Sequence, residues 1–291
     1  MRTPRTTGLV VAVLGLVAAA ACSPQSSNTT APPTTVSNAA RQCAVDKLHL
    51  YKPGQLTIAT DSPAYDPWYS HNDPTNGKGY ESAVAYALAG QMGFSRGQVH
   101  WVTEPFNSSY QPGPKKFDFD INQISITPSR AKRVTFSSSY YNAAQAIIVM
   151  KNSAYAHAKS FADFANAQLG AQVGTTSLDA IGNDIKPSSQ PRVYDDTNAA
   201  TKALQNGQVD GIVADLPSAY YITAAVLSGS TIVGQFQPQA GSQEQFGLLF
   251  AKNNPLVSCV DASLAKLKSK GTLSGLEQRW LSQSTNVPVL K

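Results

Sequence analysis

The strongest constraint on the fold is an alternation of two kinds of segment that runs from Leu56 to Ser282. Leu56–Thr60, Val99–Val102, Ala144–Met150, Gln168–Gly174, Val209–Ala214, Thr231–Phe236 and Phe246–Ala251 are short, apolar and bounded by turn residues, and so read as strands. Ser82–Met92, Phe161–Ala167, Asn198–Gln205, Leu216–Leu227, Leu256–Ser269 and Leu273–Ser282 read as helices, the first stopped by Gly93. Phe119–Ile126 alternates at period two with one slip of phase, which predicts a further strand, and Asp61–Gly79 reads as a loop. Strands separated by helices build an α/β fold with mainly parallel sheets. The 291 residues suffice for two folding units with cores of their own.

The N-terminus gives an address. Met1–Thr7 carries Arg2 and Arg5, and Gly8–Ala21 is apolar and ends in small residues. That run is too short to cross a bilayer core, which takes about 20 residues, and has the layout of a signal peptide over residues 1–21. An uncleaved anchor is the alternative. Val17-Ala-Ala-Ala-Ala-Cys22 resembles the lipobox of bacterial lipoproteins, with Ala19 where that motif usually has Leu. The resemblance implies cleavage before Cys22, a diacylglycerol on its sulfur, and acyl chains such as palmitate that anchor the chain at the extracytoplasmic face of the cell membrane. Residues 22–42 are rich in Ser, Thr, Pro and Asn and predict a tether reaching on the order of 25 Å.

With Cys22 lipidated, Cys43 and Cys259 remain in an oxidising compartment, and a disulfide between them is expected; two buried thiols are the alternative. The formal charge of +5 falls when Arg2 and Arg5 leave, to 21 basic against 18 acidic residues. The basic residues are scattered, which argues against a nucleic-acid partner. His49, His71, His100 and His157 have no metal-ligand spacing, so neither a metal nor a cofactor is expected.

Five stretches together are similar to the family 3 extracellular solute-binding proteins of ABC importers. Gly79-Tyr-Glu-Ser-Ala-Val-Ala-Tyr-Ala-Leu-Ala resembles the family's helix start. Asp120 to Tyr141, with Thr127-Pro-Ser-Arg130 inside it, resembles the family signature. Val173-Gly-Thr-Thr, Gly207-Gln-Val-Asp-Gly-Ile-Val-Ala-Asp215, and Phe246-Gly-Leu-Leu-Phe-Ala-Lys with Gly271-Thr-Leu and Trp280 follow in the family's order. The resemblance covers about residues 43–284. It implies a two-lobed, type II periplasmic-binding-protein-like α/β fold hinged on two crossover strands. Lobe 1 would be 43–147 plus 240–291, lobe 2 151–236, and the ligand would lie between them. The expected function is capture of a free polar amino acid, by a monomer, for delivery to an ABC permease.

A zwitterion leaving water needs a cation, an acid and neutral hydrogen-bonding groups around it. By the resemblance, Arg130 grips the α-carboxylate in bidentate fashion; a solvated surface arginine is the alternative. Asp215, at the end of an apolar strand, takes the α-ammonium, or else caps the helix that follows. Thr175, Thr176 and Ser177 form a strand-to-helix turn whose N–H groups and hydroxyls bind a carboxylate or cap the helix. Asp61, Tyr65, Trp68 and Phe106 are expected to form an acidic and aromatic wall, with core packing an equal alternative for Trp68 and Phe106. Gln123 and Ser125 bear on specificity, the long amide of Gln123 narrowing the pocket or meeting a polar ligand. The rival functions are a dehydratase-like enzyme and a ligand sensor on the same scaffold; binding without catalysis is the expectation.

Overall fold

The computed structural model describes residues 42–238, 242–281 and 287–291. The signal peptide, the lipidation of Cys22 and the tether up to Arg41 fall outside the described residues. Two five-stranded sheets organise the body. The first has the order β2-β1-β3-β10-β4, with β1 Leu56–Thr60, β2 Val99–Thr103, β3 Phe119–Asp120, β4 Thr135–Ala143 and β10 Glu244–Phe250. The second has the order β7-β6-β8-β5-β9, with β5 Gln145–Met150, β6 Leu169–Gln172, β7 Arg192–Tyr194, β8 Gly211–Asp215 and β9 Ser230–Phe236. The chain crosses from the first sheet to the second at Ala144 and returns between Phe236 and Glu244.

The sequence accounts for much of this packing. β1 is apolar or small throughout and is buried along its whole length, as a strand covered on both faces must be. Along β5 successive side chains alternate between faces. Ala146 and Ile148 join Ala200, Leu204 and Ile212 in one core, while Ile147 and Val149 join Phe164, Leu169 and Ile181 in another. Over the first sheet, the helices Tyr80–Met92 and Leu256–Ser269 pack with Trp68, Tyr69, Phe246 and Phe250. Cys43 and Cys259 are bonded, with Cα atoms 5.5 Å apart, and tie the start of the body to the helix Leu256–Ser269.

Several elements differ from the sequence reading. The sheets are mixed rather than mainly parallel: four pairings are parallel and four antiparallel. The two crossings cause this, because β4 runs directly into β5 and β9 returns into β10, so these strands oppose their neighbours. Of Phe119–Ile126 only Phe119–Asp120 is strand; the slip of phase marks where pairing ends. β4 has a polar, period-poor sequence and is specified by its long pairing with β10. Phe161–Phe164 is a 3₁₀ turn, and the helix from Leu216 widens into a π turn at Ile222–Val226. Gln145–Ile147 lie in the second sheet, so the crossing comes before the lobe boundary expected at 147. The C-terminus also reaches that sheet: Val289 pairs with Gln235, and buried Leu290 fills the space left by Gly234, where a Cβ would stand 2.5 Å from Leu290 Cγ.

Candidate functional site

A cleft lies between the two sheets. It is built at the carboxyl ends of strands, where open α/β sheets place ligands. Asp61 follows β1, Asn122, Gln123 and Ser125 follow β3, Gln172–Ser177 follow and end β6, and Asp215 ends β8. Of the residues singled out by sequence, Asp61, Tyr65, Phe106, Gln123, Ser125, Thr175, Thr176, Ser177 and Asp215 all line it; Trp68 and Arg130 do not.

Asp61 accepts from the N–H of Ser62 at 2.7 Å and of Phe106 at 3.2 Å. Burial nevertheless holds its carboxyl above the usual range. The Tyr65 hydroxyl is buried without a hydrogen-bond partner, and Phe106 meets Tyr110 edge to face at 5.7 Å. Thr175 caps the short helix Thr176–Ala180, accepting from Leu178 N–H. Ser177 Oγ donates to Gln145 Oε1 at 2.6 Å, and Gln145 Nε2 donates to Asp215 Oδ1 at 2.8 Å. Burial, reinforced by the charge of Glu244, raises the Asp215 carboxyl well above its ordinary value.

Three expectations change. Trp68 is fully buried and packs against Tyr80, Tyr141 and Phe246. Its indole N–H reaches Ser218 Oγ at 2.8 Å, so it supports the cleft from behind. Gln123 lines the cavity with its amide already engaged: its side-chain amide and its backbone N–H both donate to Glu81, which also accepts from the Tyr140 hydroxyl. Arg130 is only 7% exposed and donates from Nη1 to Ser125 O at 2.8 Å and from Nη2 to Gly174 O at 2.9 Å. Its guanidinium lies 5.0 Å from the Tyr110 ring and lines a neighbouring depression, which shares Thr176 with the main cavity. It is neither a solvated arginine nor, in this arrangement, part of the cavity wall.

Sequence reading missed Glu244 and Gln145, which join the cleft through hydrogen bonds, and Asp66, Asn122, Ser218 and Tyr221, which line it. Glu244 stands two residues before the matched stretch from Phe246, but nothing in its local sequence separates it from a surface glutamate. The charged side chains lining the cavity are Asp61, Asp66 and Asp215; among the described residues no Lys, Arg or His lines it. Among the described residues, no group of three or more His, Cys, Asp or Glu side chains is placed to hold a metal ion, and no helix is long and apolar enough to cross a membrane.

Comparison with known proteins agrees with this geometry. The chain is 28% identical over 232 residues to the ABC transporter arginine-binding protein 1 of Escherichia coli K12, covering 76% of this chain and 89% of that one. An ancestral arginine-binding protein bound to glutamine superposes with a TM-score of 0.65 at 27% identity, over 79% of this chain and 98% of the other. An ancestral amino-acid-binding protein that is a precursor of cyclohexadienyl dehydratase gives 0.64 at 28% identity, over 78% and 95%. The family model for bacterial extracellular solute-binding proteins, family 3, matches residues 56–283. With two crossed sheets, a cleft at their strand ends and this match over most of its length, the chain belongs to the family 3 bacterial extracellular solute-binding proteins.

Proposed function

We propose that this chain captures a free amino acid with a cationic side chain outside the cell and delivers it to the permease of an ABC importer. One observation carries the reading: the charged groups lining the cleft are carboxylates. A cleft of one sign with low-dielectric walls concentrates ligands of the other sign, and a cation leaving water needs such partners. Tyr65 and Phe106 offer ring faces to the stem and cation of the side chain. Asp215 takes the α-ammonium. The α-carboxylate lies at the turn Thr175–Ser177, in the field of Arg130, which retains N–H donors beyond the two given to carbonyls. The arginine-binding relatives support this choice of ligand.

In this reading the part built on the first sheet and the part built on the second act as two lobes that close on the ligand about the crossings. Acylated Cys22 and the tether to residue 42 keep the monomer near its permease.

Calorimetric titration of the full chain against the twenty amino acids tests the proposal. Arginine, lysine or histidine is expected to bind, and acidic residues are not; no binding of any amino acid at millimolar concentration overturns it. Arg130→Ala is expected to weaken binding roughly a hundredfold, about 3 kcal/mol, while circular dichroism shows the fold retained. Unchanged affinity removes Arg130 from the carboxylate site.

A further inference from the structure

Gln145 is fully buried at the start of β5, where the chain enters the second sheet. Both polar atoms of its side-chain amide are engaged. Oε1 accepts from Ser177 Oγ at 2.6 Å, and Nε2 donates to Asp215 Oδ1 and to Glu244 Oε2, both at 2.8 Å. The partners come from separate elements. Ser177 lies in the short helix after β6, Asp215 ends β8, and Glu244 opens β10 at the return crossing. Glu244 Oε1 in turn accepts from Ser125 Oγ at 2.7 Å and from Thr176 Oγ1 at 2.6 Å. One amide thus joins the two crossings to the turn Thr175–Ser177 and to Asp215.

Only an amide suits this position. It offers two donors and an acceptor on one planar group, and here the donors meet two carboxylates and the acceptor meets a hydroxyl. A carboxylate in its place would face two others, and an apolar side chain would leave both acids short of a donor. The cation nearby makes that donor matter. The charge of Arg130 faces Glu244 and Asp215, yet its guanidinium donates to the carbonyls of Ser125 and Gly174, and among the described residues it forms an ion pair with neither acid. With the amide supplying both acids, Asp215 stays on the cleft wall and the charge of Arg130 stays available to a ligand carboxylate. We propose that Gln145 is a positioning residue for capture: it holds Asp215 off Arg130 and at a set spacing from Ser177, so that the ammonium and the carboxylate of one ligand are bound together. This rests on the reading of the cleft as a cationic amino-acid site, and names the residue that arranges its ammonium and carboxylate ends.

A double-mutant cycle tests it, by calorimetric titration of the full chain with arginine, or with lysine or histidine where that ligand binds more tightly. Gln145→Met keeps the length of the side chain and removes its hydrogen bonds. It is expected to weaken binding roughly tenfold or more. Asp215→Asn is then expected to cost at least about tenfold less in the Gln145→Met background than in the wild type, because Asp215 is already out of place. Asp61→Asn, at another carboxylate of the cleft wall, is expected to cost the same in both backgrounds within about threefold. General loosening of the fold does not single out Asp215 in this way. A smaller coupling to Asp215, or an equal coupling to Asp61, overturns the proposal and leaves the amino-acid reading intact. If none of the three ligands binds the wild type, the cationic reading of the cleft fails and this inference with it. Ser177→Ala, which removes the hydroxyl donated to Gln145, replaces whichever of Gln145→Met and Asp215→Asn does not fold or bind, and a coupling of about threefold then decides.

Discussion

Gln123 takes a φ of +46°, a left-handed backbone conformation that side-chain-bearing residues seldom adopt. Glu81 accounts for it. This carboxylate is fully buried under the first sheet, and its Oε1 takes the Gln123 N–H at 2.7 Å while its Oε2 takes the side-chain amide. Burial pushes the Glu81 carboxyl up to about 7, even though its hydrogen bonds pull the other way. Its ordinary value is 4.5, so between about pH 4.5 and 7 the unfolded chain loses this proton while the native chain keeps it. The stabilising contribution is complete below pH 4.5 and is lost as the pH rises through 7, on the order of 3 kcal/mol at most. Urea denaturation should therefore show Glu81→Gln with a flatter stability profile than the wild type from pH 5 to 8. Parallel profiles would contradict this account. Asp120 is fully buried with both oxygens unpartnered and is raised in the same direction by burial. The charge of Glu81 adds to that shift, so part of the difference between the two profiles arises through Asp120.

Among the elements, the helix Tyr80–Met92 shows how a local signal and a tertiary contact combine. Its Ala-rich run and its stop at Gly93 were legible, but its start was placed two residues late. Gly79 precedes the helix at a φ of +89°, and a Cβ there would stand 2.4 Å from the carbonyl oxygen of Trp68. The N–H groups of Glu81 and Ser82 point at that same oxygen, so the loop from Asp61 and the helix interlock here. Gly79→Ala is expected to destabilise the protein by about 3 kcal/mol, combining backbone strain and steric conflict. Chemical denaturation checks it, and a loss under about 0.5 kcal/mol, the range of neutral surface changes, would refute the interlock. β1 was read to the residue because it is buried along its whole length and made of apolar or small β-forming residues after the turn at Pro53-Gly54. β4 was not, because half of its sequence is polar and only pairing with β10 makes it a strand.

Across the whole molecule, the cleft is held by contacts between its halves. Trp68 reaches Ser218 across 150 residues of sequence, and Arg130 reaches Gly174 across 44. A ligand that binds the closed form shifts the population toward it, and any contact made only on closure shares that work. Ser218→Ala removes one such hydrogen bond, worth about 1 kcal/mol. It is expected to enlarge the ligand-free radius of gyration in small-angle X-ray scattering and to weaken ligand binding roughly fivefold. An unchanged scattering profile would show that this bond does not govern closure.

The sequence by itself determined the α/β class, the pairing of Cys43 with Cys259 and most of the cleft wall. Each of these is written in local pattern, in residue count or in short motifs at strand ends. Tertiary structure alone decided the placement of Trp68 in the core, the turning of Gln123 toward Glu81, the engagement of Arg130 with two carbonyls and the entry of Glu244 into the site. A side chain's partner depends on what the fold brings within about 3 Å of it. Glu244 and Thr176, 68 positions apart, carry no mark of each other until the two crossings set their strands together.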